Sequence, residues 1–363
     1  MRLQKGWIDI VNESSGPLTG PSEASPESGR QTDFVQLLRD NSDSPETLYA
    51  KITGDRRLEV LVPYKGTRCA HYDFGKNLHD DFMLFRGGAV SELVIEPSGQ
   101  PEGAPHIDAA KRYDVLKPWS NKEYALCVSP AGSGHPHQWL PEHNRTGTVF
   151  AVSQQLFIDD EELTDWSGQT GFRPVQSVRL VQRMIGIHPD DRSRPIAEID
   201  CSHTVDRRGV TVRSKIIWLY PVSIGSGYGM MVPIEGSFAY KLVTSLGRVY
   251  DATATDRSRT NLLDDDQAVS YAFLHRPGAE DGRSNTVAAM TIHDIGSTLR
   301  YGQEGRRRNN PVVWLEHRNE QIQKLYPQVF DQYTAQAGDF YEAAGVYFVG
   351  ELPESHPLLI RRD

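Results

Sequence analysis

The chain has 363 residues, enough for one large domain or two smaller ones, and only 38% of them are apolar. Its 31 glycines and 22 prolines favour many turns between short strands over long helices. A formal net charge of -9 excludes a global attraction to nucleic acid or to an anionic membrane. No segment approaches the roughly 18 continuous apolar residues of a membrane span, so no membrane insertion is expected. The one basic run, Arg306-Arg307-Arg308, reads as a solvated loop. Cys69, Cys127 and Cys201 have neither zinc spacing nor a disulfide framework, and read as small buried hydrophobes. The opening MRLQKGWIDIVNESS holds no apolar run of signal-peptide length. A soluble product without a signal peptide is expected, cytoplasmic or carried in a particle released by lysis.

In chain order, residues 1–47 stand apart as a polar arm. GPLTGPSEASPESGRQ is too rich in Ser, Pro, Gly and Glu to bury a fold of its own, so the arm is expected to be poorly structured until a partner orders it. WIDIV before it has strand character, and Phe34 to Leu38 could form one helical turn. From residue 48 to 363 the pattern is that of one large β domain. LYAKITG and RLEVLVPYKG are strands joined at Gly54-Asp55, and GAVSELVIEP, EYALCVSP and TGTVFAVSQQLFID follow.

The centre of the chain holds three consecutive strands. VQSVRLVQRMIGIH alternates apolar residues with Arg179, Gln182 and Arg183. PIAEIDCSHTV sets Ala197, Ile199, Cys201, His203 and Val205 on one face, with Glu198, Asp200, Ser202 and Thr204 on the other. After Asp206-Arg207-Arg208, GVTVRSKIIWLYPV places Val210, Val212, Ile216, Trp218 and Tyr220 on one side. A period of two with one apolar face is the signature of an antiparallel sheet packed on one side. Gly209 suits the positive φ of a hairpin. IGSGYGMMVPIEG reads as a Gly-rich loop ending in a short strand. FAYKLVTS, VSYAFLHRP, TVAAMTIHD and VVWLEHR are further strands, and only Asp331 to Ala337 and a few residues near Asn319 look helical. At least a dozen strands without an internal repeat point to an all-β, large antiparallel two-sheet sandwich.

Three stretches carry a resemblance: the central strands, IGSGYGMMVP, and the terminal KLYPQVFDQYTAQAGDFYEAAGVYFV. Over roughly residues 175–350 they resemble the outsized sandwiches of the galactose-mutarotase-like class, and among these the versions in phage tail and appendage proteins. The resemblance implies a supersandwich with a sugar on a concave sheet, and in the enzymes an acid/base pair of a histidine and a late carboxylate. His203 would stand for that histidine, although it falls on the apolar face of its strand. The late carboxylates are Glu316, Asp331 and Asp339, none in a context like the family's motif.

Other residues suggest chemistry directly. His71-Tyr72-Asp73 and His79-Asp80-Asp81 could serve as general acid and base if they face one cleft, or could be turn residues. His135-Pro136-His137 with Glu142 resembles the first metal motif of cupins, a donor set that suits Zn, Mn or Fe, or forms a rigid surface loop. Aromatic rings stack on the C–H faces of sugars while charged groups take the hydroxyls. Trp166 beside Asp165, Tyr228, Trp139 and Arg183 are the candidates for that role.

Two classes of function remain open. One is a structural or binding protein, a virion tail or appendage component that contacts a cell-surface glycan and assembles with its own copies or virion proteins through residues 1–47. The other is a carbohydrate-active enzyme, a sugar epimerase or polysaccharide lyase, using His203, His71, His79 or Asp81. A cupin-like metal enzyme is a third reading, and no cofactor other than such a metal ion is expected.

Overall fold

The computed structural model describes residues 33, 34, 36, 38, 47–54, 57–76, 82–95, 105–118, 121–141, 147–167, 171–262, 268–278, 284–293 and 312–360. WIDIV, the Ser- and Pro-rich stretch and the Arg306-Arg307-Arg308 run lie outside these residues. The strands begin with β1 (Leu48–Thr53), β2 (Arg57–Lys65), β3 (Arg68–Lys76), β4 (Met83–Val94), β5 (His106–Ile107) and β6 (Tyr113–Leu116). Next come β7 (Tyr124–Pro130), β8 (Gln138–Leu140), β9 (Val149–Ile158), β10 (Glu161–Glu162), β11 (Arg173–Val175) and β12 (Val178–His188). The long central hairpin is β13 (Asp191–Asp206) and β14 (Gly209–Trp218), followed by β15 (Val222–Gly229), β16 (Val232–Glu235), β17 (Lys241–Thr244) and β18 (Val249–Asp251). The chain continues through β19 (Arg259–Asn261), β20 (Ser270–Leu274), β21 (Thr286–Ile292), β22 (Val312–Asn319), β23 (Ile322–Ala335) and β24 (Phe340–Glu351). One short helix, α1 (Pro357–Ile360), closes the described part. Among the described residues no helix is long and apolar enough to cross a membrane.

These strands form the expected all-β, antiparallel, two-sheet sandwich. The first sheet runs β11-β1-β2-β3-β4-β6-β16-β23-β15-β7-β8, with β22 on β23, β19 on β22 and β5 on β4. The second runs β10-β9-β12-β13-β14-β24-β21-β20-β17-β18. Alternation explains the packing. On β13, Ala197, Ile199, Cys201, His203 and Val205 are buried, and Glu198 and Asp200 are exposed. On β14, Val210, Val212, Ile216 and Trp218 fill the same layer. Gly209 has φ 109°, and a Cβ there would fall 2.1 Å from the Tyr347 carbonyl oxygen, so only glycine fits.

Three local expectations are corrected. GSGYG is part of strand β15 and not a loop, held between β7 and β23. The run from Asp331 continues β23 as far as Ala335, because pairing with Val222–Ser226 overrides its helical look, and Asn319 forms a turn by accepting from the Gln321 and Ile322 amides. Tyr220 lies past the end of β14, 40% exposed, with the Arg194 guanidinium 4.7 Å from its ring centre.

One end of the second sheet is covered on both faces. Phe34 and Leu38, with Leu358 and Leu359 of α1, pack on Ala272, Leu274, Val287, Ala289, Val346 and Phe348. The Phe34 amide donates to Ser270 Oγ at 3.1 Å. Strands buried on both faces read as continuous apolar runs, and SYAFL and TVAAMTI do so.

Polar side chains also bridge the sheets. The Gln182 amide group on β12 accepts from the Met83 amide and donates to the Met83 carbonyl, each at 2.8 Å. Tyr347 Oη on β24 donates to the Lys122 carbonyl at 2.6 Å. The Lys122 side chain is fully buried, and its ammonium donates to the carbonyls of Arg86 (2.7 Å), Lys117 (2.9 Å) and Phe85 (3.3 Å).

Burial pulls the Lys122 ammonium down to about 7, and Lys324, drawn down to about 8 by the same cause, acts in the same direction. Above that pH the folded chain sheds a proton that the unfolded chain keeps until about pH 10, so stability should rise with pH. Burial raises the thiols of Cys69, to about 12, and Cys201, so the unfolded chain loses those protons first and stability should fall above about pH 9. Thermal melts should therefore climb between pH 7 and 9 and then turn over, and the climb should be shallower in Lys122→Met. A melting temperature that stays level over that range would remove the linkage.

Candidate functional site

With the inner layer filled by side chains, the place left for a ligand is an outer face, and that of the first sheet carries a row of rings. Trp139 of β8 stacks on Tyr228 of β15, with centroids 6.1 Å apart and planes at 22°. Tyr228 lies 5.0 Å from Tyr326 of β23. Tyr326 is paired with Trp314 of β22, whose Nε1 donates to Gln328 Oε1 at 3.3 Å. All four are only partly buried.

The sequence of β15 produces this display by alternation. Gly227 faces inward, where a Cβ would come 2.7 Å from Leu126 and 2.8 Å from Phe330, and Gly229 leaves room for the Tyr341 hydroxyl. Tyr228 between them points the other way. Gly225 sits at a register shift, where a Cβ would meet the His137 ring at 3.3 Å.

Charged groups flank the row at its Trp314 end. Glu316 stands two residues from Trp314 on β22, across from Arg259 of β19 on one side and Lys324 of β23 on the other. It lies 3.6 Å from Arg259 and 3.8 Å from Arg318. The Lys324 ammonium is 5.5 Å from the centre of the Tyr326 ring.

A second polar cluster occupies the same face on β2 and β3, where Glu59, His71 and Asp73 have donor atoms within 4.8 Å of one another. His71 Nε2 lies 3.2 Å from Glu59 Oε1, and its Nδ1 accepts from Arg112 at 2.5 Å. Arg112 also reaches Asp73 at 2.7 Å, and Arg57 touches both Glu59 and Asp73. Burial pushes both carboxyls up, but His71 and the arginines outweigh it and hold them below the usual carboxylate range. Arg112 also pairs with Asp114 at 3.3 Å, so both carboxylates of the cluster already sit in an ion-pair network with two guanidinium groups. A divalent cation would have to displace both arginines, so the donor set does not fit one. An adjoining cavity of about 300 Å³ is bordered by Lys51, Glu59, His106 and Phe172. The His71 ring itself is 1% exposed, and both of its nitrogens are engaged.

His203 lies elsewhere, between the sheets. It is 1% exposed, its Nε2 is 2.6 Å from Glu123 Oε1, and Phe74 meets its ring edge-on. Glu123 also accepts from the Phe85 and Lys122 amides. The cavity beside the pair is about 10 Å³, room for no more than a water molecule.

The remaining sequence candidates fall in several places. His135 stacks on His188 at 5.3 Å, and His137 Nε2 lies 3.2 Å from Ser223 Oγ, so the two rings take separate partners. Glu142, His79 and Asp81 lie outside the described residues. Trp166 donates to the Leu163 carbonyl, and Asp165 is occupied by the Ser167 amide and hydroxyl. Arg183 faces Asp200 at 3.8 Å on the outer face of the second sheet. Of the rings and charges proposed for sugar contact, Trp139 and Tyr228 are therefore the pair brought together. Tyr326, Arg259 and Lys324 were not singled out. Their signal was a two-residue alternation, Trp314 with Glu316 and Lys324 with Tyr326, on either side of a tight turn.

No protein-family model matches the sequence, and no curated protein matches it. Among solved structures, the GH36 alpha-galactosidase AgaB of Geobacillus stearothermophilus aligns at 9% identity and TM-score 0.43, over 82% of this chain and 40% of that one. The galactosidase domain of the alpha-galactosidase-sucrose kinase AgaSK gives 8% and 0.43, over 83% and 42%. This chain thus spans about two-fifths of each of those. A putative aldose 1-epimerase of Klebsiella pneumoniae gives 8% and 0.35, over 82% and 84%.

Removing one partner of a buried pair leaves the other without compensation, which typically costs about 3–5 kcal/mol. Glu123→Ala should lose stability on that scale in chemical denaturation. A variant as stable as the parent would show that the His203–Glu123 contact supports no part of the fold.

Proposed function

We propose that the protein binds a glycan along the outer face of its first sheet, on the row Trp139–Tyr228–Tyr326–Trp314. The observation that carries this reading is the row itself, four partly exposed rings on β8, β15, β23 and β22 of one sheet with Gln328, Glu316 and Arg259 beside them. Rings in this setting take the apolar face of a sugar, and each well-formed aromatic contact adds about 0.5–1.5 kcal/mol beyond the area it covers. Amide, carboxylate and guanidinium groups supply the directional bonds that hydroxyls need. Sheet strands hold the rings in place before binding, which reduces the ordering cost of association.

Glycan-array screening followed by calorimetry tests the reading. Trp139→Ala and Tyr326→Ala should each weaken binding about tenfold, equivalent to about 1.4 kcal/mol, with little change in melting temperature. Affinity unchanged in both variants would discard the row as the binding surface.

Attachment of the chain to its own copies or to a virion appendage, through residues 1–47, belongs to the same proposal and is supported by the composition of that arm. Phe34 and Leu38 already dock on the sandwich, so a variant lacking residues 1–32 keeps that contact. The full chain should show an oligomeric native mass and the shortened chain a monomeric one. Equal masses per chain would dismiss the arm as an assembly element.

A further inference from the structure

The charges at the Trp314 end of the row are unevenly matched. Arg259 and Arg318 are 55% and 52% exposed at the side chain, whereas Glu316, the carboxylate between them, is 15% exposed. Among the described residues no other carboxylate pairs with either arginine. Both separations exceed hydrogen-bond length, so the five donors of each guanidinium remain largely uncommitted. Lys324 adds a third cation, directly across from Glu316. Among the described residues of β15, β19, β22 and β23, the other carboxylate is Asp331, which stands across from Ser226 in the strand register.

In a chain of net charge -9, the surplus of positive charge among the described residues beside the row of rings is a local feature. Resting on the glycan reading above, we infer that the ligand is an acidic saccharide, with a uronate-type carboxylate held by Arg259 and Arg318 while the rings stack under the sugar. Positions two apart on a strand are about 7 Å from each other, so a ring seated over Trp314 and Tyr326 would bring a carboxylate on it, or on the next unit, to the level of Glu316. Planar guanidinium groups match carboxylates with paired hydrogen bonds, which a neutral hydroxyl does not offer. Burial first, and repulsion from Arg318 second, draws the Lys324 ammonium down to about 8 against the opposing pull of Glu316.

The test compares oligosaccharides that differ only in charge. Hexamers of galacturonate, alginate and hyaluronan are each titrated by calorimetry beside their carboxyl-reduced forms. An acidic hexamer should bind more tightly than its reduced form, and the advantage should shrink between 50 and 300 mM salt. The double variant Arg259→Gln/Arg318→Gln should weaken the acidic ligand on the order of tenfold more than it weakens the reduced one. If reduced and acidic forms bind alike, or the double variant binds the acidic form as the parent does, the acidic-ligand inference is wrong. The row then still stands if Tyr326→Ala lowers affinity. Binding of no hexamer, charged or reduced, would overturn both readings.

Discussion

Rings from both sheets meet in one apolar layer. Phe74 stacks on Phe85 at 5.2 Å, Phe85 meets Tyr347 of the opposite sheet at 5.7 Å, and the Tyr72 hydroxyl accepts from the Val349 amide across the gap. Filling that layer to the density of an interior leaves no room for a ligand between the sheets. It also commits every second residue of each central strand to the inside. What remains for recognition is the complementary set of positions, and the row of rings is built from them.

The same layer accounts for the buried polar groups. A sandwich closed only by apolar contacts can slide, because the hydrophobic effect has no direction. Gln182 fixes β12 to the start of β4 with two hydrogen bonds, and Tyr347 ties β24 to the Lys122 carbonyl. Lys122 and the His203–Glu123 pair are costly to bury, and each is held by specific partners. The His203–Glu123 pair joins the two sheets, whereas the Lys122 ammonium ties together carbonyls of the first sheet.

The central hairpin was legible because alternation, turn and glycine all agreed: Asp206 pairs with Gly209, and His203 faces inward. The β15 stretch misled because its glycines look like loop residues when the rings that exclude their Cβ atoms are far away in sequence. Leu126 and Phe330 are about one hundred residues to either side, and no local pattern announces them. The proposed binding face was half visible for a similar reason. Trp139 and Tyr228 stood out as aromatics in Gly- and Pro-rich surroundings, whereas Tyr326 and Arg259 became neighbours of theirs only through sheet order. His203 illustrates the reverse: its place on an apolar strand face already indicated the interior.

Strand β15 divides its positions into two classes with different freedom. Gly227 and Gly229 are closed to any side chain, and a slip of one residue would turn Tyr228 into the core. Ser226 and Tyr228 answer to the solvent side alone. Such a strand works like a type bar with fixed mounting holes, on which the printed characters can be exchanged singly. On the proposed binding face, side chains can therefore change ring by ring while the seam that holds the sheets together stays as it is.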